Sequence, residues 1–309
     1  MIDPVPWGEA EADREGWVVV VDLDDWPGSE LSDEELDVAY NVRRKAGPEL
    51  FERHMARYRA ESEAAVDGLP GHPGIVYDEP SGERLDVWGI GDDGLRPAFV
   101  FLHGGYWMAL SRAESSFMAR ALYEQGIATV VPDYTLAPKA TLEEIVRQVR
   151  ASVAWVHRHG REHGLDPERI VVGGSSAGGH LTGMTMVGGW QEEFGLPADV
   201  VKAAMPFSGL FDIRPITRIY VNEYVKLDVE RAAALSPALL PRERRCPAVV
   251  AVAEHDGTGF VEQSRRFAPL WGTGEAMVVP DRDHFDVVLD LGDPASAPFE
   301  ALLGLVRSL

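Results

Sequence analysis

Arg169-Ile170-Val171-Val172-Gly173-Gly174-Ser175-Ser176-Ala177-Gly178-Gly179-His180-Leu181 is the stretch that decides the fold. Its first half is a short apolar run of buried-strand type, preceded by polar residues, and its second half opens a segment of helical composition. Ser176 therefore falls on a strand-to-helix turn that would hold its hydroxyl exposed on a strained backbone. Gly174 and Gly178, two places to either side, are required because a Cβ at either would clash where strand and helix approach closely. A bare G-x-S-x-G arises often by chance, so this turn alone does not separate a nucleophile from an incidental serine.

The segment upstream separates them. Residues 98–102 (AFVFL) form a continuous apolar run of buried-strand length that ends directly at His103-Gly104-Gly105-Tyr106-Trp107. Glycines there let the backbone turn with its amides pointing inward. In an acyl-transfer site the amides of Gly104 and Gly105, with that of Ala177 after the serine, would bind a developing oxyanion, each donor being worth about 3 kcal/mol of barrier. A nucleophilic Ser176 then requires an acid and a base at the ends of later strands, in the order Ser, Asp/Glu, His. Residues 247–253 (PAVVAVA) run into Glu254-His255-Asp256-Gly257, and residues 276–280 (AMVVP) run into Asp281-Arg282-Asp283-His284-Phe285. Asp256 is assigned as the orienting acid and His284 as the general base. Glu254 and Asp286 are the alternative acids and His255 the alternative base.

The remaining histidines take ordinary roles. His157, His159 and His163 sit near the end of a helical run at offsets of two and four, so they share no face as a metal pair would. His180, one turn after Ser176, is expected as a packed, hydrogen-bonded residue rather than a proton carrier. His54 and His72 stand in no constellation.

Composition bounds the rest. A chain of 309 residues with 45% apolar content can bury one large core, and no long charge-free apolar run offers a membrane span. Residues 1–16 are acidic and lack the pattern of a secretory signal, and the single cysteine, Cys246, excludes an internal disulfide framework and fits a structural role, so a reducing cytoplasm is expected. A net charge of −21 argues against nucleic acid and anionic membranes as partners and disfavours strongly anionic substrates. With no phosphate-binding loop and no dinucleotide fingerprint, neither a cofactor nor a metal is expected.

Residues 1–70 read as a polar, largely helical arm packed on a body formed by residues 71–309, the whole being one domain. Leu36, Ala39 and Tyr40, then Leu50, Phe51, His54, Met55 and Tyr58, recur at helical spacing, with Gly47-Pro48 separating two helices. Residues 17–22 (WVVVVD) look like an extra strand without an assignable partner. From Ile75 onward strands alternate with helices, the strands expected at 75–77, 85–90, 98–102, 127–131, 170–172, 200–207, 248–253 and 276–279. Pro80-Ser81-Gly82-Glu83 joins the first two as a hairpin, the others need crossovers, and an eight-stranded, mostly parallel sheet with helices on both faces results. Thr141 with Glu144 has the spacing of a capping box opening the helix before the fifth strand.

The order and wording of these motifs resemble the α/β-hydrolase superfamily and, within it, the arylformamidase (kynurenine formamidase) group. The resemblance rests on the stretch His103 to Trp107 (HGGYW), on residues 36–41 (LDVAYN), on residues 208–215 (SGLFDIRP), on Leu235-Ser236-Pro237-Ala238 and on Gln263-Ser264. It covers roughly residues 33–309, leaves out the first thirty, and finds Thr135 where related sequences often carry arginine. It implies an α/β-hydrolase fold with an N-terminal helical arm or cap, and hydrolysis of an N-formyl arylamide such as N-formyl-L-kynurenine through Ser176, Asp256 and His284. An aromatic leaving group then calls for aromatic walls, for which Tyr106, Trp107 and Phe207 are the candidates. Residues 216–226 would form part of a cap, with Asn222 or Tyr224 as further contacts. A carboxylesterase acting on small acyl esters and a non-catalytic ligand-binding relative are the alternatives, and a homodimer is left open.

Overall fold

A computed structural model describes residues 10–13, 16–19, 23, 24, 26, 28–92, 94–242 and 245–309. Strand β1 (Ala10–Asp13) pairs antiparallel with β2 (Gly16–Val19), which supplies a partner for the strand expected at residues 17–22. Residues 20–22 of that expectation lie outside the described residues.

The body is one eight-stranded sheet made of β3 (Gly71–Asp78), β4 (Glu83–Trp88), β5 (Arg96–Leu102), β6 (Ala128–Pro132), β7 (Leu165–Ser175), β8 (Ala203–Phe207), β9 (Ala251–Ala253) and β10 (Met277–Val279). Its order is β10-β9-β8-β7-β5-β6-β4-β3, parallel from β10 to β6 and antiparallel at the β6–β4 and β4–β3 pairs. Each strand expected from the sequence is present, and their ends differ for local reasons. β7 begins five residues early because Leu165 and Asp166 pair with Arg96 and Pro97 before the register shifts. β9 starts late: Ala248 makes only an isolated bridge to Ala204, and Pro247, which has no N–H, contributes its carbonyl alone.

Central strand β5 explains why the sheet is covered twice. Ala98, Val100 and Leu102 join the apolar layer that contains Val149 and Val153 of the helix at Leu142–His159, whereas Phe99 and Phe101 face Phe117, Val288 and Leu302 on the other side. A strand buried on both faces must be apolar at every position, which is why AFVFL reads as a solid run. Removing one such phenylalanine side chain costs about 3–5 kcal/mol.

The arm consists of helices α1 (Asp33–Tyr40), α2 (Val42–Ala46) and α3 (Pro48–Val66), α3 beginning at the Gly47-Pro48 break. A reciprocal capping box opens α1: Ser32 Oγ accepts the Glu35 N–H at 3.3 Å and the Ser32 N–H donates to Glu35 Oε2 at 2.8 Å. The box expected at Thr141 and Glu144 is only half made. Thr141 Oγ1 accepts the Glu144 N–H at 3.3 Å, but the Glu144 carboxylate turns away to Arg147 and Gln148, which offer it charged and amide donors. Among the described residues no helix is long and apolar enough to cross a membrane.

Candidate active site

β7 ends at Ser175 and the next helix, Ala177–Met186, starts at Ala177, leaving Ser176 alone on the turn at φ 59°, ψ −117°. Such a conformation costs a non-glycine residue about 1–3 kcal/mol and persists only where its surroundings enforce it. Here the Ser176 N–H donates to the Phe207 carbonyl at 2.9 Å and the His180 N–H to the Ser176 carbonyl at 3.0 Å. A Cβ on Gly174 would lie 2.5 Å from the Gly178 carbonyl oxygen and 2.6 Å from that of Leu102, and one on Gly178 would overlap the Leu102 carbonyl. Both glycines are needed for the reason their spacing suggests.

Beyond β9 and β10, the Asp256 and His284 side chains meet. His284 Nδ1 lies 2.7 Å from Asp256 Oδ1, which also accepts the Gly257 N–H at 2.6 Å. Since a carboxylate can only accept, Nδ1 is the donor of this pair, and in the neutral imidazole the lone pair then lies on Nε2. The imidazole packs against Phe260, ring centroids 4.4 Å apart, and the pair is buried. Neither alternative acid reaches it. Glu254 is exposed and accepts the Asp281 N–H, while Asp286 accepts that of Asp283. His255 is exposed as well.

The turn after β5 closes over the serine. A Cβ built on Gly104 would stand 3.4 Å from Ser176 Cβ, so this backbone passes directly beside the hydroxyl-bearing carbon. Gly105 takes φ 91°, open only to glycine at ordinary cost. Among the described residues the amides of Gly104, Gly105 and Ala177 donate to no protein acceptor. Tyr134 stacks on His103 at 4.0 Å and donates to the His103 carbonyl at 2.9 Å, which fixes the start of the turn. Burial pushes the His103 imidazole below its ordinary pKa.

Ser176, His284, Gly104 and Gly105 all line one cavity of about 540 Å³ whose remaining walls are mostly aromatic and aliphatic. Residues 90–269 match the BD-FAE family model. The chain is 33% identical to the kynurenine formamidase of Salmo salar over 262 residues, covering 81% of this chain and 87% of that one. It is 30% identical to the kynurenine formamidase of Danio rerio, covering 88% and 94%. A solved structure from Silicibacter sp. TM1040 superposes with a TM-score of 0.74 at 28% identity, covering 88% of this chain and 99% of that one.

The chain belongs to the kynurenine formamidase family. In this kynurenine formamidase family member the aromatic walls are not those expected. Tyr106 lines the cavity, but Trp107 and Phe207 are fully buried and line none of it. Trp107 follows the glycine turn with its backbone at φ 60°, and its indole lies inward, where Nε1–H donates to His180 Nδ1 at 3.2 Å. Phe207 belongs to β8 and packs in the sheet's core. Asn222 is spent on its own loop, bonding the backbone of Thr217 and Leu227, and Tyr224 points to solvent, whereas Tyr220 of the same segment reaches the cavity. Thr135 stands outside the cavity and bonds Glu83 and Gln148.

The arm supplies what the sequence left unassigned. Arg43, Arg44, Phe51, Met55 and Tyr58 form one wall of the cavity. Tyr40 accepts the Tyr106 O–H on its carbonyl at 2.6 Å, and Lys45 Nζ donates to the carbonyls of His255 (2.8 Å) and Asp256. His54, read as standing alone, lies with Nε2 3.0 Å from Asp283 Oδ2, and Tyr58 donates to the Phe285 carbonyl at 2.6 Å. Burial pushes the Asp283 carboxyl up, but the N–H groups of Asp286 and Phe285 and His54 together outweigh it and hold the carboxyl below its ordinary value. Helical spacing had marked Tyr40, Phe51, His54, Met55 and Tyr58 as one-sided, and only the fold shows that this side faces the site.

Proposed function

We propose that this chain is a serine hydrolase that cleaves N-formyl arylamides, N-formyl-L-kynurenine to L-kynurenine and formate being the reaction that fits best. The observation that carries the reading is the His284–Asp256 pair, Nδ1 to Oδ1 at 2.7 Å, lining through His284 the same cavity as Ser176 and the Gly104–Gly105 turn. In this reading Ser176 Oγ attacks the formyl carbon while His284 Nε2 takes its proton, and Asp256 holds the imidazolium that forms. The oxyanion is bound by the amides of Gly104, Gly105 and Ala177, for which no protein acceptor competes among the described residues. Collapse of the tetrahedral adduct expels the arylamine, which takes the proton from His284. Water, deprotonated by the same histidine, then attacks the formyl ester, and His284 returns the proton to Ser176 Oγ as formate leaves.

The relatives named kynurenine formamidase support the choice of substrate, as do the aromatic walls built by Phe51, Phe285, Tyr106 and Tyr220. Residues 71–309 serve as the catalytic body with residues 1–70 as its arm, and the single cysteine, Cys246, fits a reducing compartment such as the cytoplasm. A second reading, a carboxylesterase for small acyl esters, draws on the same cavity, whose Phe101, Phe117, Leu110 and Val288 exceed what a formyl group needs. Steady-state kinetics on N-formyl-L-kynurenine and a p-nitrophenyl acyl ester separate the two, and a kcat/KM strongly favouring the ester would overturn the first. Ser176→Ala is expected to abolish turnover and labelling by a serine-reactive fluorophosphonate while leaving the circular dichroism spectrum unchanged.

A further inference from the structure

Among the described residues, three charged side chains other than histidine line the cavity: Arg43, Arg44 and Glu114. Two of them are neutralised in place. Arg44 Nη1 pairs with Asp37 Oδ2 at 3.0 Å, and Glu114 Oε1 pairs with Arg59 Nη2 at 2.8 Å. Arg43 forms no ion pair among the described residues, and its guanidinium carbon lies 4.6 Å from the centre of the Phe51 ring. The cavity thus carries one uncompensated positive charge in a chain whose net charge is −21. At physiological salt the Debye length is about 8 Å, so a ligand in the cavity feels this guanidinium far more than the distant acidic surface.

We propose that Arg43 anchors a carboxylate carried by the leaving group of the substrate. The proposal rests on the acyl-hydrolase reading above and adds what it lacks, a determinant for the part of the substrate remote from the scissile bond. An aromatic ring under one face of a guanidinium orients its plane and leaves the N–H edge free, and that edge matches a carboxylate with two parallel hydrogen bonds. Aromatic walls with one cation at their margin fit a ligand with an aromatic body and an anionic end. The net charge alone pointed away from anionic substrates, and the local charge points toward them.

The test compares N-formyl-L-kynurenine with 2-formamidoacetophenone, which keeps the aryl formamide and lacks the amino acid. A second matched pair consists of phenyl acetates with and without a carboxymethyl group. The readout is the ratio of kcat/KM, charged over neutral substrate, in the wild type and in Arg43→Ala, Arg43→Lys and Arg43→Glu. Because Arg43 remains solvent-accessible, Arg43→Ala is expected to lower the ratio about 10-fold, mainly through KM. Arg43→Lys should recover part of the loss, Arg43→Glu should deepen it, and added salt should shrink the wild-type ratio. A ratio unchanged in all three variants overturns the proposal, whatever happens to absolute rates. If the wild type cleaves neither formamide but does cleave the acetates, the formamidase reading falls, and the acetate pair still decides the role of Arg43.

Discussion

Trp107 shows how much one residue's meaning depends on which way its side chain turns. It follows two glycines that border the serine, and the adjacent Tyr106 and Trp107 both adopt positive φ, at 51° and 60°. Each is then tied down by its polar tip, Tyr106 to the Tyr40 carbonyl and Trp107 to His180. His180 is suited to receive that bond only when neutral. Its Nδ1 accepts from the indole, and its Nε2–H donates to the Leu235 carbonyl at 2.7 Å, so a second proton would set two N–H groups against each other. The Tyr-Trp pair therefore holds the strained turn in shape, and only its tyrosine also borders the cavity. Trp107→Phe should keep the packing but leave His180 Nδ1 unsatisfied, at a cost of about 1–2 kcal/mol in urea unfolding. Its kcat on the preferred substrate should fall while KM stays within about twofold, because in the proposed mechanism the loss is in oxyanion geometry rather than in substrate contact. A rise in KM with unchanged kcat would instead make Trp107 part of the binding wall.

Helix α3 meets the loop after β10 on both sides of His284. His54 holds Asp283, the preceding residue, and Tyr58 holds the carbonyl of Phe285, the following one. Two bonds flanking one imidazole limit its freedom to leave Asp256, and the general-base role proposed for His284 is sensitive to displacements of about 1 Å. His54→Ala is accordingly expected to lower kcat about 10-fold with little change in KM, and His54→Gln, whose amide can still donate to Asp283, to retain most of the activity. Equal losses in kcat for the two variants would contradict a positioning role. The same contact marks the limit of what sequence conveys. The central strands were legible because a strand buried on both faces, such as 98–102, must be apolar throughout, and the glycines of the Ser176 turn because nothing larger fits. His54 and Asp283 stand 229 residues apart, and no local pattern links a helix face to a loop at that distance. Likewise Thr141 and Glu144 have capping-box spacing, yet Arg147 and Gln148 outcompete the backbone for the glutamate.

Acidification should act on the molecule through two opposed effects. Protonating surface carboxylates reduces a net charge of −21 and relieves self-repulsion, which favours the folded state. The buried imidazoles work the other way. Burial, first among the causes, pushes His180 down to about 4, and it lowers His103 as well. An unfolded chain takes up a proton at His180 near the ordinary value of about 6.5, while the folded chain does not until near pH 4, so the unfolded state binds more protons throughout that window. Stability contributed by the neutral imidazole is therefore complete above pH 6.5 and drains away as the pH falls toward 4. Between pH 7 and pH 5 the His180 contribution to this loss is about 2 kcal/mol. Urea unfolding of the wild type and of His180→Gln at both pH values isolates it. The fixed cost of the replacement cancels when each protein is compared with itself, and the surface charge is common to both. The variant should lose about 2 kcal/mol less than the wild type across the interval. Equal losses would mean that the His180 ring accepts its proton in the folded state, and that the Trp107 bond, which needs the neutral tautomer, does not hold the turn beside Ser176.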